Sequence, residues 1–453
     1  MKRPFPLIFL AIASCTPEPP EPVGVPTVSP PSAVELDARR SALVSAHPDG
    51  LHIFPANPAE KAMEQPSWIQ APSFQYFSGL HGLPGAVLVV DAPMGRTVLF
   101  VAPAPAPFGV PVRALDAVAN PGLVAGAALD EVLPTSQFVP WLTGRLERVP
   151  VVYLDEPRRA PPAGVPAGMR PVQGAEALWE LSLRDAFPQA QLRSNAETVR
   201  RLRWRKSATE IATLRFNAEA SGAALRAGMQ TVAPGVTQRQ AEAAVVGACI
   251  QAGAEGPSFW PWMQSGPNAH VGSVVRSFLD YHHLNRVMTA GELVRADIGC
   301  ASGGYGGDVG RTVPVSARFT PAQAAVWDLL VTGYLAGVGA MAPGVEISQV
   351  AEASREGIAR AAESDTTLAE LAAALNGPQG VNWHVHGVGI ESGETDGGPL
   401  EEGVVLAYEP MVVVGPDAFY LEDMILITAD GAEVLTGGLP YSAAEMEAFL
   451  RRR

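Results

Sequence analysis

Residues 293–315 read LVRADIGCASGGYGGDVGRTVPV. The stretch opens on the apolar run Leu293-Val294-Arg295-Ala296, which predicts a strand ending at Asp297, and it closes on a second strand over 312–315. Between them Gly299, Gly303, Gly304, Gly306 and Gly307 supply a tight bend, because glycine adopts backbone angles that side chains forbid. With the bend near Ser302 to Gly304, Asp297 and Asp308 become cross-strand neighbours. Two carboxylates that close repel one another unless a proton or a cation sits between them. A polar turn has the same look, so the pair alone leaves both readings open.

Outward from this hairpin, His386 sits in His384-Val385-His386-Gly387-Val388-Gly389, where glycines let the backbone approach a partner closely. Glu409 follows the apolar strand Val404-Val405-Leu406-Ala407 and precedes Pro410, which restrains the Glu409 backbone towards the extended region. Glu422 lies in Phe419-Tyr420-Leu421-Glu422-Asp423-Met424-Ile425, a largely apolar strand where an unpaired carboxylate is costly and calls for a partner. Taken singly, each is a residue that ordinary polar contacts satisfy. Together, Asp297, Asp308, His386, Glu409 and Glu422 on successive strands look like an oxygen-rich dinuclear site, suited to Mn, Co, Fe or Zn rather than a thiolate-seeking metal.

Around this set the chain reads as an α+β domain. Residues 218–225 and 240–250 carry apolar side chains at helical spacing, with Pro234-Gly235 breaking the pattern between them. Strand and turn follow Gly256, a helix is predicted over 321–340, and 404–414 and 420–428 are the closing strands. Upstream, over 36–193, short apolar runs alternate with helical pieces. Residues 86–90 and 98–101 make a hairpin or neighbouring strands about Asp91-Ala92-Pro93-Met94-Gly95, and 151–154 is a buried strand. The alternation predicts an α/β layer domain over 36–197, without a catalytic constellation, ahead of the α+β domain over 198–453.

The 453 residues, 47% hydrophobic and 17% charged, suit two globular domains. A net charge of −14 leaves no basic field for a phosphate backbone, which excludes nucleic acid as a partner. Lys2 and Arg3 precede the apolar run 5–13 and then Ile12-Ala13-Ser14-Cys15, the pattern of a secretory signal over 1–15. The run is too short to span a bilayer, which takes ~20 apolar residues. Cys15 after small residues resembles the bacterial lipobox, whose Cys becomes the lipidated N-terminus; an ordinary signal peptide with a chance Cys is the alternative. The expectation is export, to the periplasm or as a lipoprotein that touches the membrane only through this anchor. Residues 16–35 are Pro-rich and predict an extended spacer. Cys249 and Cys300 remain. An oxidising compartment permits one disulfide, but two buried free thiols are the favoured reading, since a large core needs no staple.

The stretches SGPNA (265–269), LVRADIGCASGGYGGDVGRTVPV (293–315), HGVG (386–389), PLEEGVVLAYEP (399–410) and YLEDMILIT (420–428) resemble the pita-bread metallopeptidases, namely aminopeptidase P, prolidase and methionine aminopeptidase. The last three resemble that family's HxxG, EP and IED elements in the right order, and the likeness covers about 200–440. ALVSAHPDGLHIFPAN (42–57) and FQYFSGLHGLPGAVLVV (74–90) resemble the N-terminal domain of aminopeptidase P, and RKSATEIATLR (205–215) fits the helix that follows it. The resemblance implies a pita-bread domain behind a creatinase/aminopeptidase P-type domain. It also implies a metal-dependent exopeptidase that releases N-terminal residues, at Xaa-Pro bonds, with a hydroxide shared by two ions as nucleophile. Asp297 would chelate one ion, His386 and Glu409 the other, and Asp308 and Glu422 would bridge both. Glu409 would be general base and proton shuttle. Manganese is the first expectation for the metal, a peptide for the partner, and a homodimer or homotetramer for the assembly.

The resembled family also carries auxiliary histidines around its site. Asp280, in Leu279-Asp280-Tyr281, stands where one of them precedes a Tyr; Asn382 and Gly393 stand four residues before and seven after His386, where two others lie. His270, His282, His283 and His384 are the nearby substitutes, and Asp280, His283 and His384 join Glu409 as catalytic candidates. Each lost donor is worth ~2.7–4 kcal/mol in comparable oxyanion sites. The alternative to an efficient enzyme is therefore a weakened pita-bread module that binds peptides or serves as a scaffold. A metal-free relative such as creatinase fits less well, because the full ligand set is retained.

Overall fold

Ser32 caps the first helix, α1 (Ala33–Ala46), its hydroxyl accepting from the Glu35 N–H. The helix thus starts inside the stretch read as extended spacer, because the serine cap satisfies a backbone donor that would otherwise be orphaned. The computed structural model describes residues 28–452 apart from 59–68, 103–115, 156–174, 271, 273–283 and 395–396.

A six-stranded sheet follows, built from β1 (Leu51–Pro55), β2 (Val87–Asp91), β3 (Arg96–Val101), β4 (Glu131–Pro134), β5 (Val151–Leu154) and β6 (Gln191–Ser194). Its order is β4-β3-β2-β1-β5-β6, antiparallel among β1 to β3 and parallel at both flanks. On one face Phe54, Leu88 and Val90 meet Leu43 of α1 and Phe74 and Phe77 of α2 (Pro72–Ser78). On the other, Leu51, Ile53, Val87 and Val89 meet Leu142 of α3 (Phe138–Leu146) and Leu183 of α4 (Ala175–Ala186). Cover on both faces is why these strands read as unbroken apolar runs. The next helix, α5 (Ala196–Trp204), crosses the boundary: Val199 packs in this first core and Trp204 in the second.

Capping boxes start α6 (Ala208–Thr231) at Ser207/Glu210 and α7 (Gln238–Gln251) at Thr237/Gln240, on either side of Pro234-Gly235. Beyond them lie β7 (Gly256–Pro257), β8 (Trp262–Ser265), β9 (Leu293–Ile298), β10 (Cys300–Ser302), β11 (Tyr305–Gly306) and β12 (Val309–Pro314). One register runs along the whole hairpin, from Leu293↔Pro314 to Ser302↔Tyr305. It turns on Gly303 and Gly304, at φ 62° and 76°. Two successive left-handed residues make the turn whose twist matches that of the strands, and only glycine adopts it at no cost. Two helices, Pro321–Ala340 and Ile347–Ser364, then pack on each other before β13 (Asn382–Val388), β14 (Ser392–Glu394), β15 (Val405–Val414), β16 (Asp417–Tyr420), β17 (Asp423–Thr428) and β18 (Gly431–Val434). Trp327, Tyr334, Leu406, Tyr408 and Ile425 anchor the core between these helices and the sheet.

Two expectations need correction. The closing strand is not continuous over 420–428 but divides into β16 and β17 at Leu421-Glu422. Both halves pair with β15 in one register, Met411↔Tyr420 and Tyr408↔Asp423, and the ladder lapses where Pro410 has no N–H to give. Glu422 turns instead to Gly310, exchanging N–H and carbonyl with it at 2.9 and 3.2 Å. Second, Cys249 and Cys300 are not free thiols. They form a disulfide that ties α7 to β10, their Cα atoms 5.5 Å apart. The buried face of α7 lies over the end of β10, a contact between residues far apart in sequence that composition does not reveal. Among the described residues, no helix is long and apolar enough to cross a membrane.

Candidate metal centre

The Gly310–Glu422 bridge joins the β12-β9-β8 sheet to the sheet ordered β14-β13-β15-β17-β18 and creates one continuous row of residues across the strands. Trp262 pairs with Asp297, Asp297 with Gly310 and Gly310 with Glu422; Glu422 faces Glu409, and Glu409 pairs with His384. His386, two residues on from His384, and Asp308, two residues before Gly310, share the face of that row, since alternate residues of a strand point the same way. The donors are therefore convergent because of register. Asp297, His386 and Glu409 sit within strands, and Asp308 and Glu422 immediately before β12 and β17.

The donor atoms of Asp308, His386 and Glu422 all lie within 4.8 Å of one another. The His386 Nε2 is 3.6 Å from Asp308 Oδ2, 3.3 Å from Glu409 Oε1 and 4.0 Å from Glu422 Oε1. Its Nδ1 lies 3.1 Å from the Gly387 carbonyl, which can only accept, so Nδ1 carries a proton and Nε2 is the nitrogen turned to the carboxylates. His384, half-exposed, places Nδ1 2.6 Å from Glu409 Oε1. Asp297 is held differently, its Oδ2 accepting from Arg295 Nη2 at 2.7 Å. The Tyr420 hydroxyl lies 2.8 Å from Glu409 Oε2 and 2.9 Å from Glu422 Oε2.

A largely buried network fixes the backbone at the junction. Arg311 pairs with Asp423 at 3.0 Å and donates to the Glu422 and Gly310 carbonyls at 2.7 and 2.8 Å. Asp423 also accepts from Tyr334, Tyr441 and Thr436. With every lone pair engaged, this buried pair avoids the desolvation penalty of an incomplete one.

The electrostatics are those of crowded, dehydrated anions. Burial, then repulsion from Asp297 and Glu409, raises the Asp308 pKa well above the carboxylate range; burial and repulsion from Asp308 do the same to Glu422. Burial also raises Asp297, despite the opposing pull of Arg295. For Glu409 burial acts upward too, but hydrogen bonds from His384, His386 and Tyr420 outweigh it and hold the carboxyl below its usual range. Burial lowers the His386 pKa, yet Glu409 and Asp308 bring it up to about 9. Hard oxygen donors with one imidazole, buried and mutually repelling, are what a divalent cation relieves, so the residues fit such ions.

A test follows from the sign of these shifts. Asp297, Asp308, Glu422 and His386 all hold protons more tightly in the fold than in the unfolded chain, so the folded state binds more protons and stability falls as pH rises. The His386 share is fully present below pH 6.5 and lost through about pH 9. It amounts to something on the order of 3 kcal/mol. Chelated protein should therefore melt at a lower temperature at pH 9 than at pH 6, and metal-loaded protein should not. Equal melting of the chelated protein at the two values would refute the site's electrostatics.

The other sequence candidates have mixed fates. Asp280, His282 and His283 lie outside the described residues, as does Cys15. His270 turns its Nε2 to the Pro416 carbonyl at 3.0 Å. Asn382 is exposed at the start of β13, and Gly393 sits at φ 83° in β14. Sequence reasoning passed over Arg295, Tyr420 and Gly310. The available signal was spacing: Arg295 and Tyr420 each lie two residues before a candidate donor, on the same face of an apolar strand.

Residues 212–429 match metallopeptidase family M24. The chain is 30% identical over 274 residues to the Xaa-Pro aminopeptidase of Escherichia coli (strain K12), covering 56% of this chain and 60% of that protein. It is 27% identical over 241 residues to the Xaa-Pro aminopeptidase of Haemophilus influenzae, covering 48% and 54%. The chain thus spans less than two-thirds of the length of these curated relatives. Among solved structures, proline aminopeptidase P II from Yersinia pestis superposes with a TM-score of 0.75 at 26% identity, over 93% of this chain and 100% of that one. Aminopeptidase PepP of Pseudomonas aeruginosa shares the fold, with a TM-score of 0.75 at 23% identity over 94% and 99%. The stretch that carries the convergent donors is thus a metallopeptidase domain of family M24, with an N-terminal domain ahead of it as in the aminopeptidase P structures.

Proposed function

We propose that this protein is a metal-dependent aminopeptidase that removes N-terminal residues from peptides, with Xaa-Pro bonds as its substrate class. The observation that supports this most is the convergence of Asp308, His386 and Glu422 within 4.8 Å, in a domain whose curated relatives are named Xaa-Pro aminopeptidase. Asp297 would hold one ion, His386 and Glu409 a second, and Asp308 and Glu422 both. Two divalent ions, manganese first, would supply Lewis acidity and a water ionised at neutral pH. The protein's own residues do the rest. Glu409, ionised and seated beside the donors, accepts the proton of the attacking water and returns it to the departing amine. His384, half-exposed, touches Glu409 Oε1 at 2.6 Å and steadies that carboxylate in place. Metal analysis combined with a peptide-release assay tests the whole reading; a protein that neither takes up divalent ions nor releases an N-terminal residue would refute it.

Turnover of Xaa-Pro peptides should be slow. Asp280, Asn382 and Gly393 occupy places where the resembled family has imidazoles, and one missing donor at a developing oxyanion costs roughly 10²-fold or more in rate. Rates equal to those of the E. coli relative, measured side by side, would count against this. Restoring histidine at 393 carries a backbone cost. There the left-handed backbone of Gly393 would strain any side chain by roughly 1–2 kcal/mol, although the space around it is open.

Export is proposed on the leader at 1–15, with lipid attached at Cys15 and the body held off the membrane by the Pro-rich stretch that follows. Cys15→Ala should shift the protein from the membrane fraction to the soluble periplasm. A wild type already wholly soluble would end the idea.

A further inference from the structure

We propose that Arg295 and Tyr420 are a positioning pair, one that fixes which oxygen of Asp297, Glu409 and Glu422 faces the ions. The inference rests on the metal-site reading above. Each glutamate is divided in the same way: Oε2 is taken by the Tyr420 hydroxyl, at 2.8 Å for Glu409 and 2.9 Å for Glu422, while Oε1 faces the His386 Nε2 at 3.3 and 4.0 Å. Arg295 holds one oxygen of Asp297 likewise, donating to Oδ2 at 2.7 Å.

Neither member can swing away. The Arg295 guanidinium lies 4.2 Å from the centre of the Tyr420 ring, so charge and ring hold each other in place. Gly310 leaves room for the ring, since an added Cβ there would come 2.1 Å from a ring carbon. Tyr420 is 1% and Arg295 5% exposed. A carboxylate that rotates freely must be ordered when an ion binds; one already held has met that entropy during folding. Groups that orient metal ligands in this way typically change metal affinity or activity 10–100-fold when lost.

Chelated full-length protein, titrated calorimetrically with Mn²⁺, gives the test, with bound metal counted by mass spectrometry and folding followed by circular dichroism. Tyr420→Phe keeps the buried ring and removes only the hydroxyl. It should bind Mn²⁺ about 10–100-fold more weakly and, at saturating Mn²⁺, lower kcat with little change in KM. Arg295→Lys keeps the charge but not the planar fork, and should weaken Mn²⁺ binding in the same direction. Wild-type affinity and kcat in Tyr420→Phe would overturn the pair while leaving the metal site standing. A wild type that binds no Mn²⁺ would overturn both. Should Tyr420→Phe fail to fold, Arg295→Lys decides, and unchanged Mn²⁺ affinity there overturns the proposal.

Discussion

Asp308→Ala and Glu422→Ala should each lose both ions and all peptide release, yet keep the metal-free fold. The two carboxylates sit 6% and 1% exposed and are pushed towards their neutral forms by burial and by each other. Removing either one relieves repulsion in the empty site, so the chelated variants should melt no lower than the chelated wild type. Only the wild type should gain from added metal. An ion present at 1,000 times its dissociation constant stabilises the folded state by about 4 kcal/mol, and that increment should vanish in both variants. Melting curves with and without Mn²⁺, together with metal counts, measure it. Two ions retained by either variant would show that its carboxylate does not bridge.

Reduction of the Cys249–Cys300 bond should cost a large share of stability without touching the site. The bond closes a sequence separation of 51 residues, for which the chain-entropy relation gives about 4 kcal/mol. It also anchors β10 to α7 between the two aspartates of the hairpin. Guanidinium unfolding with and without reductant, checked against a Cys249→Ala/Cys300→Ala double variant, should show the midpoint fall in both. Coincident curves would mean that the unfolded chain gains nothing from release of the link. A bond of this kind persists in oxidising compartments, in keeping with the export proposed above.

Much of the site was readable in the sequence because its logic is local. Gly303-Gly304 declares the hairpin, and the hairpin's register brings Asp297 and Asp308 to one face. Glu409 stood out by its place before Pro410, and Glu422 by its cost amid apolar residues. What could not be read depends on contacts between distant segments. The Cys249–Cys300 bond needs α7 laid over β10, and the split of the last strand needs Gly310 to compete for Glu422. Arg295 looked like one polar residue in a strand until Tyr420 gave it a ring to lie on. The backbone angle at Gly393, which penalises histidine there, is likewise invisible in composition.

The Gly310–Glu422 bridge also bears on the order of folding. It is closed by residues 112 positions apart. Pairings of such long range form late and slowly, because the intervening chain must be confined first. During synthesis, a chain that has emerged only as far as Tyr408 has its aspartate hairpin but neither glutamate donor. The ions would therefore meet a nearly finished domain and act as its last clasp, taken up in whichever compartment folding is completed rather than where the chain is made.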